Sequence, residues 1–355
     1  MKNQERRFEI DLLRACAIAS ILLLHLSGYM GWAALSDLEP YLADFGIGLF
    51  CFISGYALVL GNRRITTIRQ SLAFMGKRIA RIYPLYMPAI ALFFLLFHCL
   101  GFYHEMDMTP VAPTLITHLS GAQIAMATRL SPIPTLWFIG CIMLYYISYI
   151  PIASFSERKR GALAVGIAVF LAFGLLRYLC NVVEYRFFFY YPLFVVGILA
   201  SRAGFGAAKF PKVSIAALLL VAASISGAIL WPIRAELAEL GKLSKMEAAF
   251  FAASHLCFVV FSVLFAGWVA CAVSTRIPGK WRDRSVVVHV SIASYAVYLF
   301  HRPLLALLCG LVQNVLQLGA VGEHVVVLGF GLPSMMVACV YMQRASDKVT
   351  NWLRR

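Results

Sequence analysis

Long apolar runs separated by short polar segments dominate this sequence of 355 residues. Ten of these runs are long enough, or nearly so, to cross a bilayer whose hydrocarbon core is about 30 Å thick. They lie near residues 12–34, 43–61, 82–101, 136–154, 161–177, 185–201, 213–232, 248–274, 286–316 and 321–343. The pattern predicts an all-α fold, a polytopic bundle of about ten transmembrane helices, built as one domain over residues 1–355.

The composition supports a membrane protein. Hydrophobic residues make up 61% of the chain and charged residues only 13%, so a soluble globule would leave more apolar surface than its polar groups could cover. A net charge of +15 is compatible with nucleic-acid binding. However, the basic residues form no stripe interleaved with aromatic residues on a polar domain. They cluster between the apolar runs, so we expect membrane lipids and no nucleic acid as partners.

The distribution of basic residues predicts the orientation. If the N-terminus is cytoplasmic, the predicted inner segments hold 23 of the 31 Lys and Arg residues. This asymmetry is the positive-inside pattern, so we expect a multi-pass protein with both termini in the cytoplasm.

The stretch from Phe8 to Leu26, which includes much of the first apolar run, contains ionisable residues. His25 follows Arg14 by eleven positions, close to three helical turns, so both side chains face the same way. They are separated by about 16 Å along the helix axis, and His25 lies near the middle of the predicted helix. An ionisable group among leucines in a membrane is a candidate for function. Asp11 is placed to orient Arg14 as an i, i+3 pair.

The polar stretch from Asn62 to Arg81 is predicted to be a basic cytoplasmic loop. Arg78 and Arg81 lie three positions apart, on one face of a helix that leads into the next apolar run. Two interpretations stay open. The basic residues either set the topology and contact anionic lipid headgroups, or they hold the phosphates of an anionic cofactor. The chain has no G-x-x-x-x-G-K or G-x-G-x-x-G motif for phosphate binding.

Other polar residues lie within or between the apolar runs. Ser54 and Gly55 occur in the second run, where small residues also serve close helix packing. Tyr298 and His301 occur in the ninth run, where tyrosines also serve as interfacial anchors. The nine cysteines are scattered singly, so we predict buried hydrophobes and no metal site. The loop over residues 102–135 is expected to cover an outward cavity.

Five short motifs occur in order along the chain. They are R-x10-H from Arg14 to His25, FISGY at 52–56, KRIARIYPLY at 77–86, LWFIG at 136–140 with a later Tyr146 and Pro151, and SYAVYLFHRP at 294–303. Together they resemble the membrane acyltransferase-3 family. The family consists of bacterial inner-membrane enzymes that O-acylate, usually O-acetylate, cell-surface carbohydrates with an acyl-CoA donor.

The resemblance implies a role for each matching residue. His25 matches the essential histidine of the family, Arg14 its paired arginine, and Arg78 and Arg81 the cytoplasmic R-x-x-R. His25 would act as the base that takes a proton from a sugar hydroxyl, or as a transient carrier of the acyl group. The arginines would bind acetyl-CoA or another acyl-CoA, which is a donor substrate rather than a permanently bound cofactor.

The remaining matches imply supporting or substrate-pocket residues. Ser54 and Gly55 match the second-helix motif, Tyr298 and His301 the late motif, and Trp137 the family tryptophan. One departure concerns the stretch after Trp137. Many relatives have W-S-L-x-x-E, whereas here Phe, Ile, Gly, Cys and Ile follow the tryptophan. This removes a carboxylate and indicates a subgroup with a different acceptor.

Two alternatives accompany this hypothesis. The first is a secondary transporter or flippase in which Arg14 and His25 form a proton-coupled pathway. The second keeps acyl transfer but changes the acceptor from an exopolysaccharide, an O-antigen or another lipid-linked glycan to a lipid, a peptide or a small metabolite.

Overall fold

The computed structural model describes residues 7–353 apart from 33–34, 36–37, 62–63, 102–109, 128, 156–158, 205–216, 219, 223–224, 227–244 and 279–284. The described residues form helices and contain no strand. The helices are α1 Phe8–Met30, α2 Glu39–Gly61, α3 Ile68–Phe93, α4 Val111–Ser120, α5 Gln123–Met126, α6 Trp137–Phe155, α7 Lys159–Cys180, α8 Tyr185–Arg202, α9 Lys245–Arg276, α10 Val286–Gly310, α11 Ala320–His324 and α12 Leu332–Leu353. Three π-helical segments, Phe94–Cys99, Leu311–Leu316 and Val325–Gly331, extend α3, extend α10 and join α11 to α12.

The all-α membrane bundle is confirmed. Eight stretches of the described chain are long and apolar enough to cross a membrane. They are Phe8–Met30, Tyr41–Gly61, Ile68–Cys99, Trp137–Phe155, Lys159–Cys180, Ala253–Arg276, Val286–Leu316 and Ala320–Trp352. Of the two other predicted runs, 185–201 coincides with α8 and 213–232 falls mostly outside the described residues. The total of ten and the cytoplasmic termini stay predictions.

The predicted basic loop before the third run is mostly helix, which corrects the sequence-based boundary. A capping box starts α3: the Thr67 hydroxyl accepts a hydrogen bond from the Gln70 amide at 3.2 Å, and the Gln70 side chain accepts one from the Thr67 amide at 3.3 Å. Because α3 begins at Ile68, Arg78 and Arg81 lie in its third and fourth turns. A rigid helix therefore carries both arginines into the bundle.

Helices α2 and α8 approach each other closely at two glycines. A Cβ atom at Gly55 would lie 2.0 Å from the carbonyl oxygen of Phe194, and one at Gly197 would lie 2.1 Å from that of Phe52. The two glycines therefore let the two backbones meet directly, as small residues do in membrane helix pairs. Gly55 has a packing role, which was one of the two interpretations open from the sequence.

Residues 110–127 and 129–136, which we call the plug, penetrate the bundle rather than merely covering it. Ile124, Ile133 and Leu136 are at most 2% exposed. Gly140 of α6 makes room for the plug, since a Cβ atom there would lie 2.8 Å from the side chain of Gln123. The sequence-based prediction of a cover over an outward cavity did not include this depth.

Hydrogen bonds fix the plug to α3 and to the segment that links α7 and α8. The Gln123 amide nitrogen donates to the Tyr86 hydroxyl at 3.0 Å and to the Leu136 carbonyl at 3.2 Å. The backbone amides of Val183 and Glu184 donate to plug carbonyls at 2.9 and 3.0 Å. These bonds pair polar groups that are shielded from water, which is a condition for burying irregular backbone inside a membrane protein.

His118 holds the two halves of the plug together. Its ring is fully buried, Nδ1 donates to the Thr114 carbonyl at 2.7 Å, and Nε2 accepts from the Ile133 amide at 3.0 Å. A ring that donates at one nitrogen and accepts at the other is neutral. Burial lowers the pKa of His118 from its ordinary value of 6.5. His118 lies outside the five motifs, so no role was assigned to it from the sequence.

We predict that Gly55→Ala destabilises the protein, because the added methyl group overlaps the Phe194 carbonyl. Overpacking of this kind costs about 1–3 kcal/mol, or more where backbone must move. Thermal unfolding in detergent measures the effect. Gly76→Ala in α3 is the matched control, since nothing lies within 4 Å of its Cβ position. Equal melting temperatures for the two variants would contradict the packing role.

We predict that His118→Phe lowers stability by about 1–3 kcal/mol at neutral pH, because the Ile133 amide loses its acceptor. The variant also changes the pH dependence. The folded state binds the proton on His118 more weakly than the unfolded state does, so its stabilisation is complete above pH 6.5 and is lost as the pH falls. The wild-type melting temperature should therefore drop more than that of His118→Phe between about pH 7.5 and about pH 5.5. Parallel pH profiles would refute this role.

Candidate active site

A cavity of about 170 Å³ lies among α1, α2, α3, α6, α10 and α12. Arg14 of α1 and both Arg78 and Arg81 of α3 line it, so the structure brings together the three arginines singled out in the sequence. Ser54 and Tyr298, two of the predicted supporting residues, lie on the same wall. The predicted donor-binding residues therefore share one cavity.

The cavity wall is strongly basic. The Arg78 guanidinium lies 5.1 Å from the ring centroid of Phe74 and 5.6 Å from that of Tyr146, so aromatic faces hold it in place. Arg81 is exposed, whereas Arg78 and Arg14 are half-buried. Among the described lining residues there is no Asp or Glu. Guanidinium groups arranged in this way suit an anion such as a phosphate.

The departure from the W-S-L-x-x-E pattern lies on this wall. Ile142 stands five positions after Trp137, where many relatives have glutamate, and its side chain lines the cavity. An aliphatic side chain here means that this position supplies no carboxylate to the cavity wall.

Asp11 anchors the cavity wall through a hydrogen bond to Ser291. Its carboxylate is buried and accepts a hydrogen bond from the Ser291 hydroxyl at 2.6 Å. Ser291 lines the cavity, so this bond connects the start of α1 to the start of α10 at the site. The pairing of Asp11 with Arg14 stays a prediction.

Gln343 is a cavity residue that the sequence reading missed. Its amide nitrogen donates to Asp347 at 3.0 Å, and its buried Oε1 has no hydrogen-bond partner among the described residues. A buried acceptor without a partner is costly, and it is often explained by an absent ligand or water. The only sequence signal for Gln343 was its single amide side chain at the end of an apolar run.

His25 does not line this cavity but pairs with His301. The two ring centroids are 4.9 Å apart with the planes tilted by 35°. Since α1 ends at Met30, His25 lies only five residues from its end and not near its middle as predicted. Arg14 and His25 share a helix face, but neighbouring helices separate their surroundings: Arg14 faces the cavity and His25 faces α10.

His301 has a defined tautomer. It is fully buried, and Nδ1 lies 3.0 Å from the Val297 carbonyl and 2.9 Å from the Tyr298 carbonyl. Carbonyl oxygens only accept, so Nδ1 carries the proton. In the neutral ring, Nε2 then keeps a lone pair, and it has no hydrogen-bond partner within the described chain. This nitrogen is available to a proton donor.

Tyr298 connects the cavity to the histidine pair. It lines the cavity, and its ring centroid is 6.2 Å from that of His301. Its hydroxyl donates to the main-chain carbonyl of Thr135 in the plug. Phe50 and Phe138, two further cavity residues not predicted from the sequence, contact its ring.

Trp137 lies away from the cavity wall. The Arg186 guanidinium lies 4.5 Å from its ring centroid, and Tyr190 stacks on it at 6.1 Å. Arg186 in turn pairs with Glu184 at 2.5 Å. These contacts join the start of α6 to the start of α8. A direct role of Trp137 in a substrate pocket stays a prediction.

Comparison with known proteins agrees with this picture. Searches of curated proteins and of solved structures gave no match. A family model described as an acyltransferase domain matches residues 7–344, nearly the whole chain. With the membrane-spanning helices described above, the chain belongs to the acyltransferase-3 family and is a multi-pass membrane enzyme that transfers acyl groups.

Proposed function

We propose that this enzyme moves an acyl group, by preference acetyl, from cytoplasmic acyl-CoA to a hydroxyl of a cell-surface carbohydrate in the bacterial inner membrane. One observation carries the proposal. Three arginines line a cavity whose wall residue Tyr298 also contacts His301, the buried member of the histidine pair. An anion site thus adjoins a proton acceptor inside a membrane acyltransferase.

The arginines suit the phosphates of the donor. Guanidinium groups bind phosphate oxygens bidentately, and Arg81, Arg78 and Arg14 range from exposed to half-buried. The cavity of about 170 Å³ is smaller than the roughly 300–1,000 Å³ that drug-sized ligands occupy. The nucleotide would therefore remain at the mouth near Arg81, and the narrow pantetheine arm would enter and bring the thioester towards Tyr298.

The histidine pair suits the hydroxyl acceptor. His25 takes the proton of the acceptor hydroxyl while the oxygen attacks the thioester carbonyl. The new C–O bond forms, the C–S bond breaks, and the thiolate receives the proton from His25 to give free CoA. His301 acts as a positioning residue, because its unprotonated Nε2 lies on a ring that packs beside His25.

The placement of the two groups favours an acceptor on the far side from the donor. Arg14 lies near the start of α1 and shares the cavity with Arg78 and Arg81, whereas His25 lies near the end of α1 and is half-buried. With the predicted orientation, the donor approaches from the cytoplasm and the hydroxyl approaches from the outer half. A lipid-linked glycan such as an O-antigen or exopolysaccharide unit presents hydroxyls there.

We predict that His25→Ala reduces transfer by about 100- to 10,000-fold, the range typical for loss of a general base. The measurement is the O-acetyl content of purified surface polysaccharide from a deletion strain restored with wild type or variant. His98→Ala is the control, because His98 is exposed and lies outside the site. Normal acetylation by a well-expressed His25→Ala protein would refute the assignment of His25.

The same strains separate the alternatives. If deletion leaves polysaccharide acetylation unchanged, the carbohydrate acceptor is wrong, and lipid, peptide or small-metabolite acceptors become the candidates. If the purified wild-type protein also fails to cleave acyl-CoA, acyl transfer from this donor is wrong, and proton-coupled transport through Arg14 and His25 becomes the leading hypothesis.

We predict that Arg78→Gln weakens the binding of CoA about tenfold, since a hydrogen bond to a charged group is worth about 1.5–3 kcal/mol. Calorimetric titration of the purified protein with CoA measures this. Arg69→Gln is the matched control, because Arg69 lies on the same helix but not on the cavity wall. Equal weakening of CoA binding by both variants would mean that the arginines act only through general surface charge.

A further inference from the structure

Three aromatic side chains form a partition at the apolar end of the cavity. Phe50 of α2, Phe138 of α6 and Tyr298 of α10 all line it. Their ring centroids are 6.2 Å apart for Phe50 and Phe138, 6.0 Å for Phe50 and Tyr298, and 5.5 Å for Phe138 and Tyr298. Each ring therefore contacts the other two, and the triangle closes this side of the cavity.

Tyr298 separates the cavity from the histidine pair. Its ring lines the cavity and also lies 6.2 Å from the ring of His301, whereas neither His25 nor His301 reaches the cavity wall. A thioester that enters past the arginines therefore meets Tyr298 before it meets His25. The reaction needs contact between the thioester and the acceptor oxygen, so this ring has to move during turnover.

The hydrogen bond that holds Tyr298 in place ends on Thr135, a residue with a strained backbone conformation. The Tyr298 hydroxyl donates to the carbonyl of Thr135, and Thr135 has a φ of +71°. A β-branched residue at positive φ is a conformational outlier. In addition, the buried Thr135 hydroxyl has no hydrogen-bond partner among the residues described. The closed arrangement thus carries two costs, and both are relieved if the hydrogen bond to Tyr298 breaks and Thr135 relaxes.

We propose that Tyr298 is a movable positioning residue that keeps the thioester apart from the histidine pair until the partition opens. The inference rests on the proposed function and adds to it how the donor is protected. In the closed state, water activated by His25 cannot attack the thioester carbonyl. Premature opening permits hydrolysis, in which water forms the new C–O bond as His25 takes its proton, the C–S bond breaks, and His25 passes that proton to the thiolate to give CoA.

The test uses the purified full-length protein and compares acyl-CoA hydrolysis without acceptor to transfer with acceptor. Tyr298→Phe keeps the ring but removes the hydrogen bond to Thr135. A net hydrogen bond is worth about 0.5–1.5 kcal/mol, so the open population and the hydrolysis-to-transfer ratio should rise about two- to tenfold. A purely structural role would lower both activities together and leave this ratio unchanged.

Tyr295→Phe is the matched control. Tyr295 lies on the same helix and donates to a main-chain carbonyl, that of Ile82 at 2.9 Å, but its bond is not made to the plug. The hydrolysis-to-transfer ratio should therefore stay at the wild-type value in this variant, whatever happens to its total activity. An equal rise in Tyr295→Phe and Tyr298→Phe would overturn the proposal.

Thr135→Gly is a second variant that should stabilise the closed state, whereas Tyr298→Phe should destabilise it. This test does not depend on whether Tyr298→Phe folds. Glycine adopts positive φ without strain, so the closed state is stabilised and acceptor-independent hydrolysis should fall below that of wild type. If wild type transfers acyl groups but neither variant changes hydrolysis, this inference alone is wrong. If wild type does not cleave acyl-CoA, the proposed function is wrong and this inference falls with it.

Discussion

The pairing of α1 with α10 determines where the polar groups of the site lie. The two helices contact each other near both ends of the shared interface, through Asp11 and Ser291 at 2.6 Å and through the rings of His25 and His301 at 4.9 Å. Because the helices run in the same direction, Arg14 is held near the first contact and His25 at the second. A shift of one helix by a single turn would separate both pairs.

Burial in an apolar bundle explains why the polar side chains occur in pairs. A polar group that loses water without gaining a partner costs about 1–3 kcal/mol in proteins. The plug meets this requirement with the neutral ring of His118 and with the Gln123 amide, which bridges Tyr86 and Leu136. Exceptions occur at several places in the described chain, and three of them, at Thr135, His301 and Gln343, lie at or beside the proposed site.

The sequence predicted the bundle, because apolar length is a local property, and the family motifs implied the grouping of the three arginines. Three features were missed or misplaced. The start of α3 is a local feature, set by the capping box of Thr67 and Gln70, whereas the other two depend on distant residues. The depth of the plug depends on the room that Gly140 leaves. The separation of His25 from the cavity depends on which helix covers each turn of α1, and a spacing of eleven residues does not specify that.

The division of the site into a basic half and a histidine half follows from the cost of charge in a membrane. Phosphates cannot enter the hydrocarbon region cheaply, whereas an acyl group carries no charge. In the proposed reaction, Arg81, Arg78 and Arg14 keep the charged part of the donor at one end of the cavity, and only the thioester approaches Tyr298. The proton moves separately, between the acceptor hydroxyl and His25. A partition of three aromatic rings suits this arrangement, because it excludes water and ions but needs only one side chain to rotate for an acyl group to pass.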